Sequence, residues 1–159
     1  MAFATWSTSA RLADPRPAGP SRRSGWHNRG MKDDPLQRLR RICLALPETS
    51  ERTSHGEPTF FVRDKKTFVM YADNHHNDGR VGFWCAGPAG FQSMLVEAEP
   101  QRFFVPPYVG HRGWIGVRLD LDVDWDEIAA IVEGAYRAVA PKGLVAELDR
   151  LRDAAGERG

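Results

Sequence analysis

Two segments of this chain combine histidine with charged neighbours, and their side-chain types could carry chemistry. His55 and Glu57 stand in the run HGEPT, and His111 and Arg112 stand in the run HRGW. A histidine with a glutamate can transfer protons, and an arginine can bind an anion. If the two loops meet, they form a polar cleft, although the same groups could equally satisfy turns and one another. The candidate ligand-binding residues are His55, Glu57, Tyr108, His111, Arg112 and Trp114.

A second set of candidates is basic. Lys65 and Lys66 fall at the turn of a predicted β-hairpin, where they could contact DNA phosphates from a projecting wing. An ordinary solvated turn would have the same composition, so that alternative stays open. The candidate DNA-binding residues are Arg63, Lys65, Lys66, Arg80 and Arg112.

The sequence shows no recognisable metal site or catalytic nucleophile. His75 and His76 lie in a segment rich in Asn, Asp and Gly, which is typical of a solvated turn. The alternating aspartates of residues 120–126 lack the glycine and the later acidic residue of a calcium loop. Neither a phosphate-binding glycine loop nor a Gly-x-Ser-x-Gly elbow is present. We therefore expect no metal, no cofactor and no catalytic residues.

The elements that must position these residues are helices and short strands. Helical periodicity predicts helices over 35–46, 88–97 and 125–139, with a shorter amphipathic piece from Lys142 to Leu151. β-rich runs predict strands over 59–63, 67–71, 80–85, 103–105 and 114–119, and residues 48–58 read as a polar connection. The predicted order is α-βββ-α-ββ-α. This order favours an α+β fold, with an antiparallel sheet and helices packed on one face.

Charge and composition divide the chain at Met31. Residues 1–30 hold five Arg and one Asp without hydrophobic periodicity, whereas the remainder has 17 basic and 20 acidic residues. We predict a disordered leader over 1–30 and one domain over 31–159, with Met1 and Met31 as alternative natural starts. No apolar run reaches the length of a membrane span. Cys43 and Cys85 are expected to be buried free thiols of a soluble, cytoplasmic protein.

Several short motifs, taken in their order and spacing, resemble the MmcQ/YjbR proteins. The resemblance covers roughly Leu36 to Leu148 and rests on Leu46-Pro47-Glu48-Thr49, His55-Gly56-Glu57-Pro58-Thr59-Phe60, Lys66-x-Phe68, Pro106-Pro107-Tyr108, Gly113-Trp114-Ile115-Gly116-Val117, Ala135-Tyr136 and Ala140-Pro141-Lys142. It implies an α+β fold of the secretion-chaperone-like type. It also implies a DNA-binding role inferred from likeness to a double-wing domain, and it brings no established catalytic residues.

Three functional hypotheses follow. The leading one is a protein that binds double-stranded DNA through the basic hairpin, although the acidic balance of residues 31–159 weakens it. The second is a small-molecule binder for an anionic ligand, or an unrecognised enzyme, at the His55 and His111 loops. The third is a protein-interaction module. The sequence predicts neither an oligomeric state nor a DNA sequence preference.

Overall fold

The fold is taken from a computed structural model of the chain, which describes residues 34–74 and 79–158. The chain divides between Arg38 and Leu39 into two units. Of the first unit only residues 34–38 are described, and they belong to the beginning of the first helix. The second unit, from Leu39 onward, holds the sheet and the remaining helices.

The described residues form four α-helices, six β-strands and a short 3-10 helix. The helices are α1 (Pro35–Leu44), α2 (Phe91–Ala98), α3 (Trp125–Val139) and α4 (Lys142–Arg158). The strands are β1 (Thr49–Ser54), β2 (Glu57–Val62), β3 (Lys66–Asp73), β4 (Val81–Cys85), β5 (Phe103–Phe104) and β6 (Ile115–Arg118). The 3-10 helix, Gly110–Arg112, lies between β5 and β6.

The strands pair antiparallel in the order β1-β2-β3-β4-β6-β5. Two adjacent rows of cross-strand partners show how the two faces of the sheet differ. One row, with every member fully buried, consists of Phe60, Val69, Cys85 and Ile115. The next row consists of Thr59, Met70, Trp84, Gly116 and Phe104. Because successive residues of a strand point to opposite faces, the first row faces the core and the second faces the other side.

Helix α3 packs against strand β3 of the sheet. The ring of Tyr136 in α3 meets the ring of Phe68 edge to face, with the ring centroids 5.8 Å apart. The Tyr136 hydroxyl also donates a 2.9 Å hydrogen bond to the carbonyl of Pro47, which fixes α3 to the segment after α1. Cys43 of α1 and Cys85 of β4 are both buried and free, as predicted. Burial raises the pKa of both thiols, and in Cys43 the neighbouring Cys85 adds to the effect.

The predicted fold class is confirmed, but the predicted element order is wrong at residues 48–58. This segment is the edge strand β1 and its turn, not a connection. Its sequence, TSERTS, contains no apolar residue, and its burial does not alternate. An edge strand that pairs with one neighbour needs no apolar face, so hydrophobic periodicity cannot reveal it. At the other end, the final helix extends to Arg158, beyond its predicted end at Leu151.

Candidate functional site

A cleft of about 1020 Å³ lies over the row of the sheet that faces away from the core. Its floor includes Thr59, Met70 and Trp84, which are direct cross-strand partners on β2, β3 and β4. Around this floor the cleft is lined by Ser54, His55, Lys65, Lys66, Thr67, Tyr108, Val109, Arg112, Trp114, Ala138 and Val139. Two hairpin turns and the loop before β6 therefore supply most of its wall.

The first hairpin turn brings His55 to the cleft. Ser54 and Glu57 are register partners, so only His55 and Gly56 connect β1 to β2. Both have positive φ, 54° and 81°, which is the requirement of a type I′ two-residue turn. Histidine tolerates this region better than most residues, and glycine tolerates it freely. The His55 ring lies 3.2 Å from the hydroxyl of Ser54, measured at Nδ1.

The second hairpin turn separates the charges that are adjacent in the sequence. Arg63 and Asp64 have positive φ of 54° and 57°, and the N–H of Lys65 donates to the carbonyl of Val62 at 3.0 Å. The Arg63 guanidinium binds the carboxylate of Glu48 at 2.8 Å and does not line the cleft.

The carboxylate of Asp64 is engaged on the β1 side of this turn. It accepts a short hydrogen bond from the hydroxyl of Ser50 and lies 3.7 Å from the Arg52 guanidinium. Lys65 and Lys66 line the cleft, and neither forms an ion pair within residues 34–74 and 79–158. The turn thus places both lysines in the lining of the cleft and the neighbouring carboxylate beside β1.

The loop before β6 supplies Tyr108, Val109 and Arg112. Gln92 of α2 holds this loop, because its side-chain amide donates to the carbonyls of Gly110 at 2.9 Å and Trp114 at 2.6 Å. The Arg112 guanidinium lies 5.5 Å from the centre of the Trp114 ring, a distance typical of a cation–π contact.

The lining of the cleft is basic and aromatic. Its ionisable members are His55, Lys65, Lys66, Arg112 and Tyr108, and none of the Asp and Glu residues in the described ranges lines it. Lysine and arginine donors in a partly enclosed site attract anions, above all phosphate and carboxylate. The arrangement can therefore bind an anion that also presents an apolar or planar surface.

The structure brings together only part of each predicted site. From the DNA-binding set, Lys65, Lys66 and Arg112 line the cleft. Arg63 instead pairs with Glu48. Arg80 packs over the ring of Phe104, with its guanidinium carbon 4.1 Å from the ring centre. From the ligand-binding set, the residues that line it are His55, Tyr108, Arg112 and Trp114. Glu57 and His111 are absent from the lining of this cleft.

Sequence reasoning missed the residues that β3, β4, α2 and α3 contribute. Trp84 stands in the run VGFWC, which reads as a buried strand with no sign that one ring lines a cleft. Gln92 carries no sequence signal for holding a loop 18 residues away. Only the register of the sheet and the packing of α2 reveal these roles.

No metal site is found in the described ranges, where no three or more His, Cys, Asp or Glu residues come together to hold an ion. His75, His76 and Asp78 lie outside the described residues, so the solvated turn predicted there stays a prediction. None of the described helices is both long and apolar enough to cross a bilayer.

An open antiparallel sheet with helices packed against it and a basic, aromatic cleft defines a small α+β domain. The YjbR family model matches residues 44–138, so this chain belongs to the YjbR family. The crystal structure of the Deinococcus radiodurans protein DR2400, with the domain DUF419, is similar, with a TM-score of 0.55 and 22% identity over 66% of this chain and 78% of that chain. That likeness shows the fold alone. No curated protein matches the chain.

Proposed function

We propose that this YjbR-family protein binds DNA and that the basic side chains of the cleft contact phosphates. One observation carries the proposal. The same cleft is lined by Lys65 and Lys66 from one hairpin and by Arg112 from another loop. No described carboxylate lines it with them. Phosphate contacts supply most of the affinity of a protein that binds DNA without sequence preference.

The overall charge of the folded part does not oppose this. Residues 31–159 hold three more acidic than basic side chains. A local gathering of positive groups can nevertheless attract an anion when the nearby carboxylates are engaged elsewhere. Two carboxylates that contact this hairpin turn have partners, because Glu48 binds Arg63 and Asp64 binds Ser50 and Arg52.

Fluorescence anisotropy with labelled duplex DNA at several salt concentrations tests the proposal. The double variant Lys65→Glu/Lys66→Glu should lose most of the affinity, and its log–log salt slope should be shallower by about 1.8, at roughly 0.9 per phosphate contact. The control Arg41→Glu/Arg150→Glu makes the same charge change at two exposed positions on α1 and α4.

The control should bind within about threefold of the parent at about 0.15 M salt, because neither residue lines the cleft and exposed charges are screened there. Failure of the parent to bind either duplex or single-stranded DNA even at about 50 mM salt would contradict the proposal. Equal losses in the two double variants would also contradict it, since a general charge effect would then explain the binding.

The shape of the cleft supports a second candidate, a small anionic ligand. At about 1020 Å³ it has the size of pockets that enclose single small molecules, and its walls include two tryptophans. A bound ligand at about 100 times its Kd should stabilise the fold by about 2.7 kcal/mol. Thermal unfolding with pyrophosphate, citrate and a nucleoside monophosphate tests this. If none of these anions shifts the midpoint of thermal unfolding while DNA binds clearly, the small-ligand candidate is contradicted and DNA remains the supported ligand.

A further inference from the structure

Tyr108 has an unusual backbone conformation at the rim of the cleft. Its φ is 67°, and the N–H of Val109 donates to the carbonyl of Pro107 at 2.7 Å, so Tyr108 is the central residue of a γ-turn of the positive-φ form. This turn is rare and strained for a residue with a side chain. Such strain persists where the surroundings enforce it, and it concentrates at binding sites.

This turn does not bury the Tyr108 ring. The residue is 71% exposed, although it lines the cleft. The loop around it is held by the hydrogen bonds from the Gln92 side chain to the carbonyls of Gly110 and Trp114, and the nearby Pro106 is buried. A strained turn on a fixed loop therefore presents a large aromatic ring to solvent at the edge of a basic cleft.

Two further aromatic side chains line the cleft behind this rim. Trp84 is 2% exposed and Trp114 is 6% exposed, so both belong to the packed wall. Arg112 lies over the Trp114 ring and adds a planar cation. The cleft thus offers aromatic surface and phosphate-binding charge within one concave space.

We infer that the cleft takes a nucleotide whose base is unpaired, so that the protein prefers single-stranded to double-stranded DNA. The inference rests on the proposed function and specifies its ligand. In a duplex the faces of the bases are stacked inside the helix, and a protein reaches only phosphates and base edges. Single strands expose base faces, which stack on aromatic side chains while lysine and arginine follow the backbone. The ring of Tyr108 is the exposed platform, and Lys65, Lys66 and Arg112 contact the flanking phosphates.

The binding test uses a labelled strand of about 12 nucleotides of mixed sequence and the same strand annealed to its complement, a length within the range that single-strand binding sites cover. The full chain should bind the single strand at least about tenfold more tightly than the duplex at equal salt, which is the effect of stacking one or two bases. The salt slope on the single strand should be near −0.7 per phosphate contact.

Variants of Tyr108 separate stacking from charge. Tyr108→Phe keeps the ring and should bind the single strand like the parent. Tyr108→Gly removes the ring, and glycine adopts the positive φ without strain, so its unfolding midpoint should equal or exceed that of the parent. It should bind the single strand about tenfold more weakly with an unchanged salt slope, and it should bind the duplex like the parent. In contrast, Lys65→Glu/Lys66→Glu should make the log–log dependence of affinity on salt shallower.

The outcomes distinguish this inference from the proposed function. If duplex DNA binds as tightly as the single strand and Tyr108→Gly has no effect on either, the stacking inference is overturned while DNA binding stands. If neither form binds at about 50 mM salt, both are overturned. A preference for the single strand that Tyr108→Gly abolishes and Tyr108→Phe retains supports both.

Discussion

Four consecutive charged side chains at the tip of the β2–β3 hairpin reach three different surroundings. Arg63 binds Glu48, Asp64 faces Ser50 and Arg52, and both lysines line the cleft. The cause lies in the backbone, because Arg63 and Asp64 both have positive φ. Charged residues that are adjacent in the sequence therefore need not share a site, since the turn type decides which partners each side chain contacts.

The buried thiols lead to a prediction at the same scale. Burial raises the pKa of Cys43 and Cys85 in the folded state, whereas an unfolded thiol ionises near pH 8.5. The stabilising contribution is complete below that pH and is lost as the pH rises towards the folded pKa. The free energy of unfolding should fall by up to about 1.4 kcal/mol per pH unit for each thiol above about pH 9.

Urea unfolding under reducing conditions between about pH 8 and pH 10.5 measures this loss. Cys43→Ala should reduce the slope of stability against pH by roughly the share of one thiol, whatever its effect on stability at neutral pH. A parent whose stability stays constant over this range would contradict the prediction. So would a variant with the same slope as the parent.

At the scale of elements, close contact between strands fixes the row that carries the cleft floor. Gly82 of β4 lies so near β6 that a Cβ atom there would be 2.1 Å from the carbonyl oxygen of Val117. A Cβ at Gly116 would be 2.3 Å from the ring of Phe104 on β5. Two strand glycines thus allow β4, β6 and β5 to lie side by side, with Trp84 two residues beyond Gly82.

Alanine substitutions at two glycines test this packing. Gly82→Ala forces a methyl group against backbone and should lower the free energy of unfolding by about 1–3 kcal/mol. Gly134→Ala is the matched control, because beyond its own helix backbone nothing lies within 4 Å of the added Cβ, and it should raise stability by up to about 1 kcal/mol. Urea unfolding compares both with the parent. A neutral Gly82→Ala would show that the two strands separate without cost.

At the scale of the whole molecule, the core and the charge asymmetry occupy different parts of the chain. The buried apolar side chains of the described part run from Leu39 to Leu148. The exposed large apolar side chains come from several elements, namely Leu44, Met94, Val105, Tyr108, Leu121 and Leu151. The predicted leader of residues 1–30 lies outside the described residues, and it stays a prediction, as do the cytoplasmic location and the protein-interaction role.

A chain that starts at Met31 tests whether the leader acts apart from the domain. Its free energy of unfolding should lie within about 0.5 kcal/mol of that of the full chain, because the shortened chain keeps every described core residue. Lys65→Glu/Lys66→Glu should weaken DNA binding equally in both chains. Loss of DNA binding on removal of residues 1–30 would place the binding charge in the leader and contradict the role of the cleft.

The sequence by itself determined the fold class, the main helices and the β2–β3 hairpin. The cap Asp124, the helical periodicity after it and the proline at position 141 predicted α3 at its observed bounds. Helix α4 begins at Lys142, as predicted. These features depend on residues close together in the chain. The polar edge strand β1 was not predictable in this way, because its pairing with β2 is its main stabilising feature and leaves no apolar pattern.

Only the tertiary structure decided which candidate residues share a site. It joined His55, Lys65, Lys66 and Arg112 over a floor that includes Trp84, and it left Arg63, Arg80, Glu57 and His111 out of the lining. The physical reason is the range of the interactions. Strand register and the anchoring of a loop by Gln92 act between residues that are distant in sequence, and a cleft exists only after those contacts have formed.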